Sequence, residues 1–586
     1  MAENVRYPTA SPKNSGFSKS TDFQGIGGLP RADDFYETFF NWPQLYLLGG
    51  ADDLLPQAER HWMGVTAQLT DLGMLKDEYE RGYDWFHQSE SLLLLYFLCM
   101  AAPGRWRDPA VRFAELYVDP AHGNYDPEHR IIRRPHNGSD PGRTGLFDGT
   151  QYPWLEHEER LYGFPLDWLL PGGTPSPARE ADQRLAGEMT ARLGAGDTAV
   201  NLASAGLVLN AWILTGEQRY QDWIAQYVGA WRERAAANGG VLPDNVGPDG
   251  VVGSRLDGRW YGGHYGWSWP HGWYSVGQAA MVAGLAAVTA TGDQTFLDLV
   301  RPALDTIIGQ GVVKAYAESD SSLRSKWYPQ LRDDVGVRTF LVPYRHSDRG
   351  WFDYNPLMPA VPVALWHHSG DPADLSRLAD LRARAGYDWR TVRPFRSKEE
   401  AGHEEPWFMF LTGHNPDYPE KILAAAQAQV RHRLARMQAC RGVDVAEADI
   451  HLWQQCNPVV TEALVQLTWG GPQVIYNGAC SRPGSATTTP VGGVPACPPR
   501  WPPWSPASTA GHRRRPRQPR PGTRPHGHRA GWRVRRAHPP GRTLHSLPGP
   551  FLARRPYDYG HRESAVTEHH AEVRAPWLTV RLPASA

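Results

Sequence analysis

Leu214-Thr-Gly-Glu-Gln218 returns almost unchanged as Ala290-Thr-Gly-Asp-Gln294, and His368-Ser-Gly-Asp-Pro372 repeats the pattern once more. Each phrase ends an apolar run with a glycine, which reaches the left-handed conformation that closes a helix. An acid or proline suited to start the next helix follows. Before two of these turns lie runs of small side chains, Ala203–Ile213 and Ala279–Ala290, as close packing of an inner helix requires. After them, Tyr220, Trp223, Ile224, Tyr227, Val228 and Trp231 recur at helical spacing, as do Phe296, Leu299, Val300, Leu304 and Ile307. Leu47-Leu-Gly-Gly-Ala-Asp-Asp53 and Ala101-Ala-Pro-Gly-Arg-Trp-Arg-Asp-Pro109 are earlier versions of the same turn. The spacing predicts a mainly α protein of repeated αα-hairpins over residues 35–450.

The flanks read differently. Residues 1–34 are polar and lack the apolar core of a secretion signal, so they are expected to form a flexible arm. The longest apolar run, Ser91 to Pro103, is too short to span a bilayer and reads as a buried helix. The five cysteines are scattered and form no CxxC pair, which points to a reduced, cytoplasmic setting. Residues 479 to 557 hold fifteen Arg and no Asp, Glu or Lys. Removing those charges from the net −1 leaves −16, an acidic body that argues against nucleic acid as a partner. No membrane partner is expected, and the oligomeric state stays open.

The Pro/Arg-rich segment 479–556 cannot bury enough apolar area to offset its chain entropy. A basic arm, a linker and an out-of-frame stretch of a GC-rich gene are its three readings, and the chain's seven Lys against 54 Arg favour the last. Residues 451–478 are expected to begin a β region like a sandwich, of which 557–586 is the remnant: Ala571 to Pro583 alternates like an edge strand.

Trp260-Tyr-Gly-Gly-His-Tyr-Gly-Trp-Ser-Trp-Pro-His-Gly-Trp-Tyr274 is the richest loop, with seven aromatics, two histidines and four glycines. Glycine admits a close backbone approach, Trp and Tyr offer flat faces, and histidine carries protons near neutral pH. The combination suits a pocket for a hydroxylated ring; the alternative is an aromatic plug. The long segments Tyr117–Leu170, Gly239–Trp273 and Glu318–Pro359 all carry Trp, His, Gly and Asp. Gathered at one end of a closed ring they would make a single site. In this architecture and loop composition, residues 35–450 resemble the six-hairpin (α/α) toroid superfamily of glycosidases and polysaccharide lyases. That resemblance implies an (α/α)6-type toroid, an oligosaccharide substrate and cleavage of a glycosidic bond, without carrying over any residue's role.

Hydrolysis is the first reading, ahead of β-elimination and of a non-catalytic sugar-binding protein, and it needs two carboxyl groups across the scissile bond. Asp148, Asp244 and Glu158 are the candidates, with His264, Tyr265 and His271 binding and tuning. β-Elimination on a uronate instead needs a Tyr or His base and a group to neutralise the sugar carboxylate. His264 or Tyr265 would serve as base, with Asn137 or Arg143 against the carboxylate. His136, Asn245 and Tyr261 are further binding candidates, and Trp267 and Trp269 are candidate stacking platforms. Asp84 and His87, with Glu90, share a helical face that could line the lumen, and His403 and Glu404 form a lesser pair. No His pair at i, i+4 and no phosphate or nucleotide loop occurs, so neither a metal nor a cofactor is expected.

Overall fold

The described residues are mainly helical, with several short strands between the helices. The computed structural model describes residues 32–141, 191–269, 271–318, 336–395, 402–443 and 451–473. All lie in the compact unit Met1–Ser505. The elements are α1 (Ala32–Glu37), α2 (Asn41–Leu47), α3 (Leu54–Asp71), α4 (Trp85–Ala101), α5 (Pro103–Val118), α6 (Ser204–Thr215), α7 (Gln218–Ala237), α8 (Trp273–Thr291), α9 (Arg301–Gly309), α10 (Ala360–Ser369), α11 (Pro372–Arg384), α12 (Glu404–Leu411) and α13 (Tyr418–Ala439). The short helices α14 (His451–Cys456) and α15 (Glu462–Leu464) follow.

The repeated turns behave as their residues demand. Gly216, Gly292 and Gly370 cap α6, α8 and α10 with φ of 70°, 78° and 63°. Asp371 then accepts the Ala373 N–H to open α11, and Asp293 accepts the Thr295 N–H. α4 is buried on every side from Trp85 to Cys99, the state of an inner helix with neighbours all round. α7 is amphipathic, burying Tyr220, Trp223, Ile224, Tyr227, Val228 and Trp231. Consecutive hairpins pack on one another: α4–α5 on α6, α6–α7 on α8, and α8 on α10, which meets α12.

Two local expectations fail. Phe296 to Ile307 is not one helix but a 3-10 turn (Gln294–Leu299) followed by α9. Pro302, with no N–H to donate, sits in the first turn of α9, where that donor has no intrahelical partner to lose, and the helix restarts at Arg301. Residues 451–473 do not begin a β region: α14, α15 and a π turn over Val465–Trp469 occupy them. Tertiary docking overrides their β-branched composition. Asn457 Nδ2 donates to the Thr38 carbonyl and the Asn41 side chain, Asn41 donates to the Val459 carbonyl, and Thr461 bonds Gln44. The segment is thereby tied to α1 and α2.

Short strands are the other unforeseen feature. β1 (Leu75–Lys76) pairs with β2 (Tyr79–Glu80), and β3 (Tyr83–Asp84) with a later strand described below. β4 (Tyr125–Asp126) pairs with β5 (Ile131–Ile132). β6 (His136–Asn137) is the partner of β3, and β7 (Asp197–Thr198) pairs with β8 (Asn245–Val246). β9 (Val312–Ala315), β10 (Arg338–Ser347) and β11 (Gly350–Asn355) form an antiparallel sheet in the order β11-β10-β9. Of the expected arm 1–34, residues 1–31 lie outside the described residues, as do 479–556 and 557–586, while 32–34 belong to α1.

Candidate functional site

Asp244 organises the aromatic loop. Its carboxylate is fully buried and accepts the N–H groups of Gly262 (2.9 Å), Gly263 (2.8 Å) and Trp267 (2.6 Å), and the Asn245 amide (3.0 Å). A Cβ on Gly263 would lie 2.2 Å from the Asp244 carbonyl oxygen, and one on Gly266 2.1 Å from its Oδ2. Gly263 and Gly266 therefore make room for Asp244 rather than for a ligand. Burial pushes the Asp244 carboxyl up to about 6, against those hydrogen bonds. Its expected catalytic role is corrected to a structural one, because its oxygens are committed to the loop backbone.

The same wrapping removes other candidates. Trp267 is fully buried and donates its indole N–H to the Leu242 carbonyl (2.8 Å), so it is core and not a platform. Asn245 is spent on Asp244, the Arg259 carbonyl and the Gly253 N–H. Tyr261 donates to Asp348 (2.7 Å), and Trp269 is buried against His264 and Tyr265. Each of these side chains is thus engaged by other groups of the protein. His403 is clamped by Glu462 (2.7 Å) and the Arg393 carbonyl (2.8 Å). Burial lowers its imidazole, but Glu462 overcomes this and raises it. Glu404 beside it is buried, and burial with the Glu462 charge pushes its carboxyl up to about 7. This pair is a buried brace between α12 and α15.

What the fold brings together is a cluster of imidazoles around Asp84. Asp84 caps α4 and lies directly opposite His136 in the β3–β6 pair. His87 Nδ1 sits 3.0 and 3.1 Å from the two Asp84 oxygens. The His136 and His264 rings are 5.0 Å apart, and His264 adjoins Tyr265 at 4.6 Å. Tyr265 stacks on Phe86 at 4.8 Å and 13°, with His87 at 5.3 Å and His271 at 5.5 Å. Asp84, His87, His136, His264, Tyr265 and His271 are all buried; His87 retains 11% side-chain exposure. Burial alone would raise the Asp84 carboxyl, but His87, His264 and His136 hold it well below the usual range. Burial pushes His264 well below its ordinary value and His136 adds to this, so its imidazole is neutral near pH 7.

Neighbouring loops brace the cluster. Thr198 donates to the His264 carbonyl (2.6 Å), Asn137 of β6 donates to Asn201 just after β7, and Asp197 of β7 accepts the Ile132 N–H of β5. Asn137 donates to Arg134, Pro135 and Asn201 and accepts from Tyr117, so it is a strut rather than a carboxylate clamp. His346 N–H bonds the Trp267 carbonyl, and Arg345 the Ser268 carbonyl. Tyr265 holds φ of 51°, a left-handed conformation that an aromatic residue adopts only under tertiary constraint. A cavity of about 20 Å³, room for about one water, lies between His264, Thr198, Asn245 and Arg192. Phe86 escaped notice in the sequence because one aromatic in an apolar helix start carries no distinguishing signal. Asp148, Glu158 and Arg143 lie outside the described residues.

Asp84, His136 and His264 can each turn one ligand atom toward a common point, these atoms lying within 4.8 Å of one another. The three are far apart in sequence, so no spacing motif announces them. Among the described residues no helix is long and apolar enough to cross a membrane.

Fold and site thus define a mainly α protein of packed helical hairpins with a buried histidine–carboxylate cluster beneath an aromatic loop. The chain belongs to the DUF8034 family, a domain of unknown function, whose model matches residues 15–465. No curated protein and no solved structure matches it.

Proposed function

We propose that this chain is a carbohydrate-active enzyme on an (α/α) toroid that cleaves a glycosidic bond, and that it does so by β-elimination at a uronate. Support for the closed ring comes from the packing of consecutive hairpins and from the hydrogen bonds of Asn457 and Thr461 back to α1 and α2. Support for a single shared site comes from the bonds that join the loops around residues 84, 136, 198, 264 and 346.

The observation that carries the choice of chemistry is the convergence of Asp84, His87, His136, His264, Tyr265 and His271 at one point, where the N-terminus of α4 meets the aromatic loop. Imidazole and phenol groups beside one another form a kit for moving a proton from a carbon acid. His264 or Tyr265 is the base, and His271 and His87 are the groups able to relay or return the proton. Hydrolysis is the second reading. It requires two facing carboxyls, and Asp84 is the one carboxylate of the described cluster.

Uronate-containing and neutral oligosaccharides, together with aryl glycosides, separate the readings. Elimination yields an unsaturated product absorbing in the far ultraviolet. Hydrolysis yields a reducing end with no such absorbance. Binding without any product marks a sugar-binding protein and rejects the proposal.

A further inference from the structure

The Asp84–His136–His264 triad invites a role that the sugar chemistry does not demand. We infer that these three side chains bind a single divalent transition-metal ion, a site that stands whether or not the chain acts on sugars and that, with the ion bound, leaves Tyr265 rather than His264 as the base. One ligand atom from each lies within 4.8 Å of the others. An ion with bonds of about 2.1 Å wants its ligands roughly 3–3.5 Å apart, so binding requires the rings to turn inward to close the difference. Two imidazoles and one carboxylate suit zinc, iron, manganese or cobalt rather than calcium or magnesium, which favour oxygen throughout. Three protein ligands leave coordination positions open, and an anionic or hydroxyl oxygen is the ligand class that fills them.

The surroundings are those a bound ion needs. His87 donates its backbone N–H to Asp84 (3.2 Å), and its Nδ1 lies 3.0 Å from the same oxygen. Outer partners of this kind fix a ligating carboxylate, and lone pairs remain for an ion. The β3–β6 pair sets Asp84 against His136, and Thr198 anchors the His264 backbone, so the three ligands rest on separate braced elements. The N-terminus of α4 opposes a cation here, and the Asp84 charge offsets that dipole. The competing explanation is a purely structural polar cluster, which takes up no metal.

The test uses the full-length protein, stripped with a chelator and then given Zn2+ or Co2+ alone. The expected result is one ion per chain, a visible Co2+ d–d band intensified over that of aqueous Co2+ by four- or five-coordinate binding, and affinity reduced about 100-fold in His136→Ala and His264→Ala. His87→Gln should weaken binding by about 10- to 100-fold through Asp84. Absence of stoichiometric metal, or metal held equally well by both alanine variants, overturns the site. Should those variants fail to fold, Zn2+-soaked wild-type crystals decide: an anomalous peak among the three side chains supports the site, and a peak elsewhere or none rejects it. Metal uptake without turnover on any sugar would reject the glycosidic reading and leave the ion site standing.

Discussion

Asp84 faces His136 across a two-residue antiparallel pair, and the same carboxylate caps α4 while contacting His87 Nδ1 at 3.0 Å. One side chain thus joins a helix start, a strand pair and an imidazole cluster. Asp84→Asn should therefore perturb function through the histidines. If the cluster is catalytic, turnover falls by about 10²–10⁴-fold. Thermal unfolding measured alongside should show a folded protein; an unaltered rate would place the active centre elsewhere.

Tyr265→Phe keeps the ring stacked on Phe86 and removes only the hydroxyl. Under the elimination reading kcat drops by about 10²–10⁴-fold with the melting temperature nearly unchanged. Wild-type kcat on a uronate substrate would remove Tyr265 from the base position.

Asp244→Asn is expected to act on stability. The amide replaces an oxygen that faces backbone N–H donors with an NH2 group, at a cost of about 2–4 kcal/mol. Gly266→Ala should be at least as damaging, because its Cβ meets the same carboxylate. Urea denaturation gives both values. A fully stable but inactive Asp244→Asn protein would restore the catalytic assignment.

His61 is buried, with Nε2 2.8 Å from the Phe35 carbonyl, and burial pushes it down to about 4. The unfolded chain takes up a proton near the ordinary value of about 6.5, so folding loses stability as pH falls from about 6.5 to 4. The shift is worth roughly 3 kcal/mol at the acid end. His61→Gln should flatten this part of the stability–pH curve; an unchanged slope contradicts the assignment.

The His403–Glu462 pair has the opposite sign. Its imidazole is raised in the folded state, so its contribution is complete below about 6.5 and fades as pH climbs through the folded value. Glu462→Gln leaves His403 buried without its anion and should cost about 3–5 kcal/mol below that range, and less at alkaline pH. Equal losses at both pH values would show that the pair is not ionised.

The hairpins were legible because helix spacing and helix ends are local. The Gly216, Gly292 and Gly370 caps, the buried faces of α7 and the inner position of α4 all follow from residues within a few turns of one another. The loop Trp260–Tyr274 stands out by composition, and His264, Tyr265 and His271 do come together there, close to Asp84 and His87. Its interior was not legible. Whether Asp244 faces a ligand or the Gly262, Gly263 and Trp267 amides depends on how the loop folds back, and composition is the same in both cases. The docking of residues 457–473 on α1 and α2 was equally hidden, since hydrogen bonds between distant segments leave no periodic trace. Local sequence determined where the helices run and end, because capping and amphipathicity act over a few residues. Only the tertiary structure decided which polar groups converge, because Asp84, His136 and His264 come from loops whose approach is set by the packing of whole hairpins.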